Sequence, residues 1–294
     1  MRGIINDDLG FGDVPVPDEA FGHDLEYVDA VPMFHNLRRV AAAEGLGFGL
    51  KLSNTLEVEN WRDHFDVEGM MYMSGRALHP VTANLAAKLT EDFRGDLMLS
   101  YAGGADCFNV TDLLASGMKT VTVCSDLLKT GGYLRLLQYV ERLGDEMAEA
   151  GAADLEELVA RQATGVDGFS EFAPLLRWSS LTDSGLALDL DDCVSLGVAL
   201  TEGEGGPREL ARAWAVERGL SEERTEALLA LVQKVLARLN LRRYATEVRR
   251  DWRYQKGSFR TDRSKTAREL GLFDCIKAPC VDECPVDQLS LIHI

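Results

Sequence analysis

Long apolar runs are missing from this sequence: no segment is long enough to cross a bilayer, and the acidic N-terminal stretch carries no signal-peptide pattern. A cytoplasmic, reducing location is the expectation, so the six cysteines are not expected to pair as disulfides. Basic residues are also in deficit. Lys and Arg number 31 against 48 Asp and Glu, a formal net charge of −17. With no positive field to offset phosphate repulsion, this argues against a nucleic-acid partner. The one basic stretch, Leu241 to Arg268 with Arg242, Arg243, Arg249, Arg250, Arg253 and Arg260, reads as a solvated face. Histidine is scarce too, and His23 has no second ligand at a metal-binding spacing. His23-Asp24 therefore reads as local hydrogen bonding in a loop.

What is present centres on Leu97 to Tyr133. Leu97-Met98-Leu99-Ser100-Tyr101 has the pattern of a short apolar strand that ends at Gly103-Gly104, where the missing Cβ lets backbone amides approach a ligand. A helix is expected from Asn109, with Val110, Leu113 and Leu114 on one face and Gly117 as its stop. A β-branched strand, Thr120 to Cys124, follows, and Ser125-Asp126 offers an N-cap for another helix. Two strands opening into helix N-termini suit a bound anion. Strands are also expected at Gly47 to Leu52, delivering Lys51 to its carboxyl end, and at Met70 to Met73, leading into Ser74-Gly75-Arg76. Residues 1 to 31 read as loop and 56 to 68 as an exposed acidic crossover, with a helix between them through Met33, Leu37 and Val40.

Beyond Tyr133 the periodicity predicts a helix that packs Leu134, Leu137, Val140 and Leu143, and a further one from Asp154. The strongest linker pattern is Glu202 to Pro207, and helices follow at about 208 to 218 and 221 to 240. The run Cys275-x₄-Cys280-x₃-Cys284-Pro285 brings thiolates together on a tight turn. An iron–sulfur cluster ranks ahead of zinc and of chance spacing, because a closing Cys-Pro belongs to ferredoxin-type runs. Cys107, Cys124 and Cys193 lack such spacing and are expected to be buried thiols.

Several of these stretches carry a resemblance. SYAGGADCFN, with FGLKLSNT at 48 to 55 and MSGRALHP at 73 to 80 ahead of it, is similar to the closing part of the dihydroorotate dehydrogenase-like flavin barrels. APCVDECPV resembles the first cluster-binding stretch of the module shared by the small subunit of glutamate synthase and dihydropyrimidine dehydrogenase. Taken together, the chain looks most like the selenate reductase-like members of that group. The resemblance implies an α/β fold: the C-terminal half of a TIM (β/α)₈ barrel over 1–150, a helical connector over 151–240, and the start of a ferredoxin-like iron–sulfur module over 241–288.

It also implies FMN held by Lys51, Asn54, Ser74, Gly75, Gly103, Gly104 and Ser125, with Lys51 beside the negative end of the ring. Cys275 and Cys280 would serve one [4Fe–4S] cluster and Cys284 another, and Leu272 stands where the family has its leading cysteine. Further departures are the altered register of Lys51-Leu52-Ser53-Asn54-Thr55 and Cys124-Ser125 in place of Gly-Thr. If the strands at 97 and 120 are the seventh and eighth, those at 47 and 70 are the fifth and sixth, and the residues before them cannot hold four more units of a barrel of roughly 250 residues. The first half, with the family's catalytic base, is therefore expected outside this sequence, and no catalytic residue is assigned. FAD and NAD(P)H are expected on a downstream reductase part, with other subunits of an oxidoreductase complex and a small-molecule substrate as partners. The final LSLIHI, 289–294, reads as a translated sequencing adapter.

The function expected is that of a fragment of an iron–sulfur flavoprotein oxidoreductase passing electrons between clusters and flavin. Two rivals stand beside it: a phosphate-binding barrel lyase or isomerase, and a degenerate barrel that docks a partner and holds no FMN.

Overall fold

Leu50, Leu99, Tyr101 and Val121 set the hydrophobic side of a small parallel sheet, and the helices gather on that side. The computed structural model describes residues 1–22, 24–53, 55–60, 69–128, 131–164, 167–181 and 186–258. His23, Asn54, the thiolate run Cys275, Cys280 and Cys284, and 289–294 lie outside these residues. In chain order the elements are α1 (Tyr27–Ala43), β1 (Gly49–Lys51), β2 (Leu56–Glu59), β3 (Met70–Met73), α2 (His79–Asp92), β4 (Met98–Ala102), α3 (Val110–Ala115), β5 (Thr120–Thr122), α4 (Arg135–Ala150), α5 (Leu155–Thr164), α6 (Phe172–Ser179), α7 (Leu190–Glu202), α8 (Pro207–Glu217) and α9 (Glu222–Glu247). Among the described residues no helix is long and apolar enough to cross a membrane.

The sheet order is β1-β4-β5, all parallel, with Lys51 opposite Ser100 and Ser100 opposite Thr120. This corrects the expected run of four neighbouring barrel strands. The Met70–Met73 strand does not enter the sheet between β1 and β4; it pairs antiparallel with Leu56–Glu59. The stretch at 56 to 59 is therefore no exposed crossover, because Leu56 and Val58 alternate inward and are buried. Nor is the N-terminal segment loose. A π-helical turn, Gly3–Asp8, and the residues after it bury Ile5, Leu9, Phe11 and Val16 in the same core as β2, α2 and β4.

Helix α2 opens with Pro80 in its first turn, where the missing N–H costs nothing, and α3 stops at Gly117, whose φ of +85° permits the left-handed turn. The Glu202–Pro207 stretch is a tight turn between α7 and α8, which share one hydrophobic core. Ser221 caps α9 by accepting the Arg224 N–H at 3.3 Å, and Glu222 and Glu223 sit at its positive end. This helix ties the molecule together. Leu228, Val232, Val235 and Leu239 lie in the helical core, whereas Leu241 and Tyr244 lie in the core beneath the sheet.

One expectation of packing fails. Along α4, Leu134, Leu137 and Val140 face solvent and Tyr139 is the buried residue, the reverse of the packing predicted. Met33, Leu37 and Val40 of α1 are likewise exposed. The periodicity was correct, but none of the described elements covers either stripe.

Candidate functional site

The loops at the carboxyl ends of the strands bring most of the sequence-predicted residues together. Gly75, at φ +64°, follows Ser74, and a Cβ on it would lie 3.2 Å from Ser125 Oγ. Gly103, at φ +121°, packs on the Ser53 carbonyl and the Thr82 hydroxyl. Gly104, at φ +76°, lies so close to Gly75 that a Cβ would come within 2.7 Å of the Gly75 carbonyl carbon. Ser74, Gly75, Gly103, Gly104 and Ser125 thus form one cluster. Lys51 ends β1 two residues before Ser53, with its side chain exposed on the other face of the sheet, in a row with Ser100 and Thr120. That row is polar, with Thr120 Oγ1 donating to Ser100 Oγ at 2.6 Å, where a closed barrel would carry bulky aliphatic side chains.

The rest of the loop is held by its own polar groups. Asn109 Oδ1 accepts the Asp106 N–H at 2.9 Å, and Asp106 Oδ1 accepts the Phe108 N–H at 2.9 Å. Asn109 Nδ2 donates to the Gly104 carbonyl at 3.0 Å. After β5, Asp126 is buried against Arg135, which donates to it at 2.9 and 3.1 Å, and against the Tyr139 hydroxyl at 2.9 Å. Burial and the Asp126 carboxylate push the Tyr139 hydroxyl far above its ordinary range. Burial, then Asp106 and Asp126, push the Cys107 thiol up. Cys124, expected to be buried, is exposed.

Tested against a flavin phosphate, these residues do not fit. The space that each glycine leaves is filled by neighbouring chain rather than open to a ligand. Asp106 Oδ1 accepts the Phe108 N–H in the turn before α3, so the carboxylate folds back onto its own loop. No helix begins at Ser125-Asp126: a turn follows β5, and α4 starts only at Arg135, so the second expected helix dipole is absent. Arg135 is already neutralised by Asp126. In the structure Gly75, Gly103 and Gly104 permit close loop packing.

Beneath the glycine loop lies a group the sequence did not signal. His79 is fully buried, with Tyr101, Tyr244 and the Gly103 carbonyl around its ring nitrogens and the Tyr254 ring stacked on it at 4.9 Å. Burial pushes its pKa down to about 3, so the imidazole is neutral. These partners lie up to 165 positions apart in the chain, which is why no local pattern revealed them. Tyr254 also accepts from Asn109 at 3.1 Å, and Arg253 donates to the Phe108 carbonyl at 3.1 Å. The segment after α9 is therefore fastened to the carboxyl-end loops.

On the opposite side of α3, burial pushes Asp112 up to about 6 against Glu146 and Glu247, with Arg243 and Arg253 pulling the other way. A carboxyl raised in the fold binds more protons folded than unfolded between pH 3.8 and 6, so stability falls as pH rises through that window. The loss amounts to about 3 kcal/mol at most. Asp112→Asn is expected to remove this slope, read as a smaller drop in urea midpoint between pH 4.5 and 7.5 than in the parent chain.

Residues 1–167 match the family model described as oxidoreductase YgfK, N-terminal TIM-barrel domain. The chain belongs to this family. Over 159 residues it is 41% identical to the protein named "Putative oxidoreductase YgfK" of Escherichia coli strain K12, and equally to that of Escherichia coli O157:H7. The match covers 54% of this chain and 15% of each relative, so the chain spans a small part of their length. No solved structure matches. The barrel kinship agrees with the parallel sheet and its helices; the family and these relatives are named as oxidoreductases, and the names carry no reference to selenate.

Proposed function

We propose that this chain is part of an iron–sulfur oxidoreductase subunit, in which electrons pass through [4Fe–4S] clusters and the YgfK-type barrel is a platform that holds no FMN. One observation carries this reading: the segment leading to the thiolate run is anchored, through Tyr254 and Arg253, on the loops at the carboxyl ends of β4 and its neighbours. That is the end of a barrel where chemistry is done. In this reading Cys275 and Cys280 ligate one cluster and Cys284 the other. Flavin, as FAD reduced by NAD(P)H, belongs to a downstream reductase part.

The substrate is a small molecule, and selenate is the first to assay because the sequence resemblance names it. Among the described residues nothing pairs with the outer edges of β1 and β5 or covers the apolar stripes of α1 and α4, which supports closure by further strand–helix units or by partner subunits of the longer protein. The test is iron and acid-labile sulfide in the intact protein with Cys275, Cys280 and Cys284 each changed to Ser. Each change is expected to lower cluster content and alter the electron paramagnetic resonance spectrum of the reduced protein; unaltered iron content in all three would overturn the assignment.

A further inference from the structure

At the end of the sheet away from the glycine loops, the first residues of β1 and β4 open onto a cavity of about 520 Å³, within the size range of small-molecule sites. Its walls come from both layers, with α1, α2 and α3 on the sheet side and α5 and α9 on the other. Two glycines shape its floor. Gly95 and Gly117, at φ +77° and +85°, let the ends of α2 and α3 drop onto one turn of α9. A Cβ on Gly95 would lie 3.0 Å from Arg238 Cδ, and one on Gly117 3.1 Å from Ala237 Cβ. Phe48, Leu97, Leu114, Met118 and Val159 give the cavity its apolar lining.

The charges around this cavity do not cancel. Arg238 and Glu156 line it but are paired elsewhere, Arg238 with Glu91 and Glu156 with Arg208. Asp96 is shared by Arg38 and Lys234, and the exposed Lys119 has no carboxylate partner among the described residues. Three cations thus meet one carboxylate, in a chain whose net charge is −17. They are not needed as helix caps, because backbone amides already close the carbonyl ends. The Gly95 N–H donates to the Thr90 carbonyl at 2.8 Å, and the Met118 N–H to the Leu113 carbonyl at 3.2 Å. An apolar hollow with surplus positive charge at its rim attracts an anion that carries an apolar body.

We propose that this cavity binds a small organic acid, its ring or branched alkyl part against Leu97 and Met118 and its carboxylate on Lys119, with Arg38 and Lys234 adding to the attraction. The site lies at the end of a barrel away from the chemistry, so the acid is an effector rather than a substrate. Once bound it touches both layers, and by linkage it stabilises the contact between them. The site stands whether or not the intact protein carries clusters.

The test is methyl NMR of the full chain labelled with ¹³C-methyl methionine, because Met98 and Met118 line the cavity while Met33 lies on the exposed stripe of α1. Signals are assigned by their loss in Met98→Leu, Met118→Leu and Met33→Leu. The probes are indole-3-acetate, 3-phenylpropionate and 4-methylpentanoate, each beside its neutral amide. At least one acid is expected to move the Met98 and Met118 signals saturably, to leave Met33 in place, and to bind about tenfold more tightly than its amide. Binding is expected to weaken severalfold in Lys119→Gln and to be kept in Lys119→Arg. Ala42→Trp, a change at the exposed rim, is expected to block it. No saturable shift with any of the acids, amides that bind as tightly as the acids, or affinity that Lys119→Gln leaves unmoved would overturn the site. Shifts confined to Met33 would mark adsorption on the α1 stripe and overturn it as well.

Discussion

Gly104→Ala is expected to destabilise the fold by about 4 kcal/mol, an unusually large effect for a single methyl group. Two costs combine. The residue sits at φ +76°, where a side chain is strained, and the new Cβ would press on the Gly75 carbonyl and come within 3.0 Å of Arg76 Cα. Gly151→Ala supplies the control. Its φ is +65° but nothing lies within 4 Å of the added atom, so only the backbone term remains, about 1 kcal/mol. Urea denaturation of both variants separates the terms. The comparison also bears on function, because a glycine kept open for a ligand would lose that ligand on substitution and leave the apo fold nearly unchanged. A Gly104→Ala chain as stable as Gly151→Ala would mean that the loop is not packed against itself as described.

Glu91→Ala is expected to cost about 3–5 kcal/mol, because it strands a buried charge. Arg238 is 1% exposed and donates to Glu91 at 2.9 Å; Arg242 donates to the same carboxylate at 2.6 and 2.7 Å. Burial alone would push the Glu91 carboxyl up, but the Arg242 and Arg238 hydrogen bonds hold it below the ordinary value. The ion cluster is the polar seam between α2 under the sheet and α9 of the helical layer, so its loss weakens the contact of the two layers. Replacing both partners with apolar residues, Glu91→Leu with Arg238→Met, is expected to recover most of the stability. Chemical denaturation of the single and double variants checks this; a double variant no better than Glu91→Ala would show that the seam acts by geometry rather than by charge balance.

Local patterns carried a large part of the fold. The helix after Asn109 and its glycine stop, the strands at 49, 70, 98 and 120, and the Ser221 cap are all written in neighbouring residues, and the structure has them. Pairing is not local. Met70–Met73 has the composition of a barrel strand, but its partner was decided by Leu56 and Val58, which lie in a stretch that reads as polar because Glu57 and Glu59 alternate with them. The stripes of α1 and α4 show the same limit from the other side, since periodicity tells which face is apolar and not whether something covers it. At the site, the glycines were found through their spacing. Their use could not be, because it depends on Gly75 meeting Gly104 and on Asp106 folding back onto its own loop. His79, Tyr244 and Tyr254 left no trace in the sequence, being brought together only by the return of α9 to the sheet.

The central claim is that the carboxyl-end loops of this barrel are filled by their own chain, and that redox chemistry in the intact protein runs through thiolate-bound clusters. The most direct measurement is the FMN, iron and sulfide content of the full-length protein, purified anaerobically and repeated after incubation with excess FMN. The account predicts iron and acid-labile sulfide with no FMN retained before or after incubation. FMN held at one per polypeptide, and lost in Gly104→Ala, would contradict it.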